Sequence, residues 1–375
     1  MAKKLIVNFF LLILGIVIAF SAGEIILRTR GVLSLGETHQ YDPRTGLVTL
    51  VPGSINYTEK CLTEPVLVEA NSQGFRDEEF EIEKPADVFR IAVFGDSYTE
   101  ARHVLLKNSF HGILENKLKE LASNKKIEIY SFGIGGSGTF RNFLYLNQYG
   151  LKYKPDLVIL AFLPMNDFRD DYEMLSEIFD QDGKIKTELT QKEKLSKKSI
   201  LLTWLRYKWQ VFKTHGLASR LGEAQVPFDF QVFLKEYPES WQKIWDLEKT
   251  LIGRMNRTSR ESGAKFMILT LADVWRIHPE LMANEGFDRR FLDKFEFDFD
   301  KPEKILNDWA RDQDIAFLNL TPIFRERVVQ EKKMTVLYPC DAHWSETGHL
   351  WAGEALFQFL KDNDKLIDID ENLAD

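Results

Sequence analysis

The chain is poor in cysteine, carries no excess of basic charge and has no internal repeat. Only Cys61 and Cys340 occur in 375 residues, which excludes a multi-bridge disulfide framework and leaves one possible internal pairing. With 49 Lys and Arg against 57 Asp and Glu, the formal net charge is −8, the wrong sign for a protein that neutralises phosphates, so no nucleic-acid partner is expected. The histidines do not stand at metal-ligand spacing. His103 and His111 read as surface residues and His215 and His278 have no recognisable company, so neither a metal nor a cofactor is expected. What the chain does have is apolar mass: 44% hydrophobic residues are ample for a packed core in one large or two modest domains.

The N-terminus stands apart. After Lys3 and Lys4, the eighteen residues Leu5 to Ala22 contain only Asn8 and Ser21 as polar members, and as a helix they would span about 27 Å, close to a hydrocarbon core. This predicts a transmembrane anchor over residues 1–28, with the remaining chain on the exported side of a cell envelope. The alternative is a cleaved signal peptide, for which Ala19-Phe-Ser21 offers small residues, and Arg28 and Arg30 beyond the run compete with the two lysines in setting orientation. Residues 29–70 read as an irregular linker that becomes ordered on reaching the core. The segment from Asn71 through Gly74 to Arg76 and Asp77 then reads as a turn.

From there the pattern alternates between strand and helix. Arg90 to Phe94 is a short apolar run that breaks into Gly95-Asp96-Ser97. A helix follows over Ser109 to Ser123, with Phe110, Ile113, Leu114, Leu118 and Leu121 at helical spacing. Ile127 to Phe132 leads into Gly133-Ile-Gly135-Gly136-Ser-Gly138, and Pro155 to Phe162 is a continuous apolar run suited to a central parallel strand that ends near Asn166-Asp167. After an insertion over about residues 168–238 come a helix from Trp241 to Ser262, a strand over Lys265–Leu271, a helix after Pro302, a strand over Ile315–Leu320 and a last helix from Gly348 to Leu360. Ser345 or Thr347 is the candidate cap of that helix, and His349 on it reads as structural. Within the insertion, Leu201, Trp204, Leu205, Trp209 and Phe212 share a helical face, read as a core-packing helix, as a lid, or as a helix resting on the membrane beside the anchor. Phe287 to Asp300 reads as a loop pinned by aromatic packing. The architecture predicted is α/β: a three-layer α/β/α sandwich around a mostly parallel five-stranded sheet in a domain over residues 71–375.

The chemistry sits in the turns that follow the strands. A serine after a parallel strand and before a helix turns its hydroxyl and amide toward the ligand edge of the sheet. Serine needs a neutral imidazole to take its proton, and the imidazole needs a carboxylate to fix its tautomer. Asp341-Ala-His343, far along the chain, supplies both. Gly133, Gly135 and Gly138 also spell G-x-G-x-x-G, but they follow the second strand of the unit. A backbone that must come close to an oxyanion explains them better than a dinucleotide.

Four separated motifs, Gly95-Asp96-Ser97, Gly133-Ile-Gly-Gly136, Asn166-Asp167 and Asp341-Ala-His343, resemble those of the SGNH or GDSL-type hydrolase superfamily over roughly residues 71–362. That resemblance implies a flavodoxin-like fold and a serine esterase working through an acyl-serine. It further implies Ser97 as nucleophile, His343 as base, Asp341 as its partner, and an oxyanion hole made by Ser97, Gly136 and Asn166. Pro164 replaces the glycine usual in the third motif, and Asp341 and His343 are one residue apart in place of two, a spacing also found among SGNH-like polysaccharide O-acetyltransferases. An O-acyltransferase using the same residues, and a catalytically silent glycan-binding envelope protein, are the alternatives. The expected partners are an acylated carbohydrate or lipid substrate and, through the N-terminal helix, a membrane. Cys340 abuts Asp341, so a Cys61–Cys340 bridge would tether the base loop; two unrelated buried thiols are the alternative.

Overall fold

The computed structural model describes residues 2–29, 38–42, 47–58, 64–123, 125–178, 226–278, 294–331, 336–338 and 343–367. The chain divides into one unit of Met1–His39 with Ser176–Gln225 and another of Gln40–Leu175 with Val226–Asp375.

In the first unit, α1 (Ala2–Thr29) is one unbroken helix of 28 residues. Phe9, Phe10, Leu11, Leu12, Ile18 and Phe20 on it are exposed. Among the described residues no helix is long and apolar enough to cross a membrane, so the expected transmembrane span finds no support in the structure. The side chains of Leu5, Ile6, Ile13 and Ile16 lie outside the described set.

The second unit opens with short strands. β1 (His39–Asp42) pairs β2 (Leu47–Leu50), and β3 (Ile55–Thr58) pairs β4 (Val66–Glu69) in antiparallel register, Ile55 opposite Glu69. Leu47, Leu50 and Val68 are buried, so the segment expected to be irregular already contributes to a core. Cys61 and Cys340 both lie outside the described residues.

The alternating elements then follow in order: β5 (Val88–Gly95), α2 (Ser97–Glu100), α3 (Phe110–Leu121), β6 (Lys126–Gly133), α4 (Thr139–Gln148), β7 (Leu157–Phe162), α5 (Pro164–Ile178), α6 (Phe228–Gln231), α7 (Ser240–Glu261), β8 (Lys265–Thr270), α8 (Val274–Ile277), α9 (Lys301–Asp312), β9 (Ala316–Asn319), α10 (Leu320–Glu331) and α11 (Glu346–Lys361). The five later strands form one parallel sheet in the order β6-β5-β7-β8-β9. Every residue of β5 and β7 is buried, which is why these strands read as mostly apolar runs and not as alternations; the one charged member, Arg90 in β5, donates to Glu128 and to the Tyr153 carbonyl.

Successive side chains on a strand point to opposite faces, and the two cores follow that rule. Ile91, Val93, Ile159 and Met267 share a cluster with Leu114 of α3, Phe324 of α10 and Trp351 of α11. Ala92, Phe94, Val158, Leu160 and Ile268 share another with Tyr145 of α4, Trp245 of α7 and Leu306 of α9. The predicted three layers are therefore present in this unit, with all five strands parallel. Local chemistry places the helix starts: the Ser109 hydroxyl accepts the Gly112 N–H at 3.1 Å to cap α3, and Pro302 sits in the first turn of α9, where its missing N–H costs nothing.

The helix expected over Leu201–Phe212 falls outside the described residues. Phe168 to Ile178, at the start of the expected insertion, continues α5. In the described part of Phe287–Asp300, Phe297 stacks on Phe299, and Phe299 packs against Phe233, the aromatic pinning expected of that loop. Because the sheet is parallel, its five carboxyl ends lie along one edge. The chain passes from β5 to β6 on one side and then crosses to β7 on the other, which makes the end of β5 a topological switch point.

Candidate active site

β5 ends at Gly95, paired with Gly133 at the end of β6, and the chain then turns back over both strand ends. A Cβ on Gly133 would lie 2.4 Å from the Glu100 nitrogen and 2.5 Å from the Thr99 carbonyl carbon. The turn of α2 therefore rests directly on the end of β6, with no room for a side chain between them. Asp96 caps this turn, its Oδ1 accepting the Tyr98 N–H at 2.9 Å. Ser97 becomes the first residue of α2, half-buried at the carboxyl edge of the sheet.

His343 Nε2 lies 2.8 Å from Ser97 Oγ, across 246 residues of sequence. Its neighbours hold it there. Leu337 and Trp344 form an antiparallel bridge, and the Tyr338 N–H donates to the His343 carbonyl at 2.8 Å. The Trp344 indole N–H donates to the Ala272 carbonyl at 2.7 Å, while its ring is buried against Tyr98 and Phe324. The imidazole itself packs on Tyr98 and His103, with ring centroids 5.0 and 4.9 Å away. Asp341 lies outside the described residues.

Asn166 stands in the first turn of α5, its Nδ2 3.4 Å from Asp96 Oδ2, so the third motif reaches the first. Gly136 follows β6 with φ +72°, in the left-handed region that favours glycine. The turns after β6, β5 and β7 thus carry Gly136, Ser97 and Asn166 side by side in sheet order.

Two buried carboxyls, Asp96 and Asp167, lie beside these half-buried side chains. Burial pushes the Asp96 carboxyl up to about 6, against the opposing pull of the Tyr98 N–H and of His343. Asp167, whose Oδ2 accepts the Leu163 N–H at 3.1 Å, lies well above the usual carboxylate range because of burial and then of Asp96. Asp171 and Glu248 are two further buried carboxyls, both raised chiefly by burial. Asp171 also accepts the Phe140 N–H at 3.0 Å, occupying the amide at the head of α4 that a dinucleotide pyrophosphate would take.

Two histidine assignments need correction. His111 is not at the surface: it is 2% exposed, its Nε2 is 3.2 Å from the Thr99 carbonyl, and burial pushes its imidazolium pKa down to about 3. His103 is half-buried against the His343 ring. His349 is structural as expected, its Nδ1 accepting the Phe110 N–H at 3.2 Å. Arg76 was also missed. Its guanidinium donates to the carbonyls of Glu100 at 3.1 Å, of Val104 at 2.6 Å and of Ala101, fixing the segment that follows α2. Such contacts leave no trace in spacing, since the partners are backbone groups.

No protein-family model matches the chain, and no curated protein matches it. Among solved structures it is similar to the acetyl xylan esterase AlAXEase, at 14% identity and a TM-score of 0.40 over 72% of this chain and 98% of that one. It is also similar to a lipolytic protein of the G-D-S-L family from Desulfitobacterium hafniense, at 12% identity and a TM-score of 0.40 over 72% and 99%. The acetylxylan esterase Axe2 from Geobacillus stearothermophilus matches at 13% identity and a TM-score of 0.41 over 72% and 94%.

The two glycines of the β6 turn should respond differently to a methyl group. Gly136→Ala meets nothing within 4 Å and should fold with a loss of about 1–2 kcal/mol from its left-handed backbone. Gly133→Ala forces backbone against backbone and should lose several times as much or fail to fold. Denaturant midpoints of the two variants measure this, and equal midpoints would show that the α2 turn is not seated on β6 as described.

Proposed function

We propose that this chain is a serine ester hydrolase that works through an acyl-serine intermediate. The observation that carries the reading is the 2.8 Å contact between Ser97 Oγ and His343 Nε2, at the switch point of a parallel sheet. In this reading Ser97 Oγ attacks the ester carbonyl carbon as His343 Nε2 takes its proton. The carbonyl electron pair moves onto oxygen, where the Ser97 and Gly136 N–H groups and the Asn166 side-chain amide donate to it. Collapse expels the alcohol, which takes the proton back from His343. Water then attacks the acyl carbon, again giving its proton to His343, and the carboxylic acid leaves with Ser97 restored. Asp341 is assigned to orient His343 on sequence grounds alone.

Substrate and placement belong to the same proposal. The eighteen-residue apolar run Leu5 to Ala22 supports a helix retained in a membrane, with the hydrolase on the exported side and acylated envelope glycans or lipids as its substrates. Fractionation of the native protein should find it in membranes with Met1 or Ala2 at its N-terminus. A soluble form beginning near Ala22 would make the run a signal peptide.

Turnover of p-nitrophenyl acetate tests the chemistry. Ser97→Ala and His343→Ala should each abolish it, and Asn166→Ala should fold and lower kcat by about 10²-fold or more, because one oxyanion donor contributes roughly 2.7–4 kcal/mol. Wild-type turnover in Ser97→Ala would refute the nucleophile, and an unchanged kcat in Asn166→Ala would remove that residue from the site.

A further inference from the structure

The turn after β6 has a feature that the four motifs do not explain. Glu100, three residues after Ser97, is 2% exposed, and its Oε2 accepts the Gly135 N–H at 2.7 Å. On the other side of the same turn, Arg141 Nη1 donates to the Gly136 carbonyl at 2.6 Å. The turn lies close to the nucleophile: a Cβ on Gly135 would be 3.6 Å from Ser97 Cβ.

The peptide that joins Gly135 to Gly136 carries the N–H assigned to the oxyanion. Its direction depends on ψ of Gly135 and φ of Gly136, and glycines restrain these torsions less than any other residue. Left alone, that N–H would sample many directions, and a donor that must reorient at the moment of reaction loses much of its value. The peptides on either side are not left alone. One is pinned through its N–H by Glu100 and the next through its C=O by Arg141, so the peptide between them is held at both ends.

Glu100 is itself fixed. Its other oxygen lies 3.5 Å from Arg102 Nε, and its backbone carbonyl accepts from Arg76. Burying a carboxylate is costly, and a turn that only needed its amide satisfied could have used a carbonyl or a water. Because Glu100 belongs to the same helical turn as Ser97, the link joins the nucleophile and the Gly136 amide in one rigid frame.

We propose that Glu100 and Arg141 are positioning residues that clamp the Gly135–Gly136 turn and keep the Gly136 N–H aimed at the developing oxyanion. The proposal rests on the hydrolase reading. Neither residue touches the substrate. Their effect is on the transition state, which acquires the negative oxygen, and not on the ground-state ester.

The test uses the full chain with p-nitrophenyl acetate as substrate and phenylboronic acid as a tetrahedral mimic. Glu100→Ala should lower kcat by about 10- to 100-fold with KM changed by less than about two-fold, since the lost interaction exists only in the transition state. Boronate affinity should fall in parallel with kcat/KM. Glu100→Gln should recover most of the rate, because its amide oxygen can accept the same N–H, and Arg141→Met should show the same pattern on a smaller scale. A folded Glu100→Ala with kcat and boronate affinity within about two-fold of wild type would overturn the clamp. Should Glu100→Ala fail to fold, Arg141→Met decides: a joint fall in kcat and boronate affinity supports the clamp, and no change in either overturns it. A wild-type protein without Ser97-dependent turnover would instead remove the hydrolase reading, and the clamp with it.

Discussion

The backbone turn after β5 has to fold back across the ends of two parallel strands with no space for a side chain between them. Much of the site follows from that contact. The Cβ position of Gly133 lies against backbone atoms of Thr99 and Glu100, so the end of β6 must be glycine. The tight return makes Ser97 the first residue of a helical turn, and it carries Glu100 over the loop that leaves β6. Asp96 closes the turn from within by capping the Tyr98 amide, and Arg76 closes it from outside by taking up the carbonyls beyond it. A single close approach thus sets Ser97 and the neighbouring loop in one frame.

The second half of the site arrives from the far end of the chain and is fixed by packing. Trp344 is fully buried and hydrogen-bonded to the carbonyl of Ala272 just beyond β8, so the residue next to His343 is anchored in the same core that supports the sheet. Tyr98 takes part in both halves: its amide is capped by Asp96, and its ring packs on His343 and Trp344. Burial also raises the carboxyls of Asp96 and Asp167, which places Ser97 and His343 beside groups that water does not readily solvate.

The legible parts of the sequence were those with enough length or chemistry to be unambiguous. β5 and β7 were visible because strands buried on both faces are mostly apolar, Arg90 being the exception in β5, and the three turns were visible because their residue types fit one kind of chemistry. β1 to β4 were not, since four residues show too little alternation to stand out from a linker. α10 was missed for a related reason: Phe324 and Val328 are buried while Val329 beside them is 76% exposed, and Pro322 sits in its first turn. His111 was misjudged because its partner is the Thr99 carbonyl, and His103 because ring stacking across 240 residues has no sequence signature. Glu100 was in plain view beside the first motif, but only the fold brings Gly135 to it.

The central claim is that Ser97 is a nucleophile activated by His343. Labelling of the folded protein with a serine-reactive fluorophosphonate, followed by peptide mapping, tests it most directly. The account predicts stoichiometric modification at Ser97 that is lost in His343→Ala. A folded protein that takes up no label, or takes it up at another serine, would contradict it.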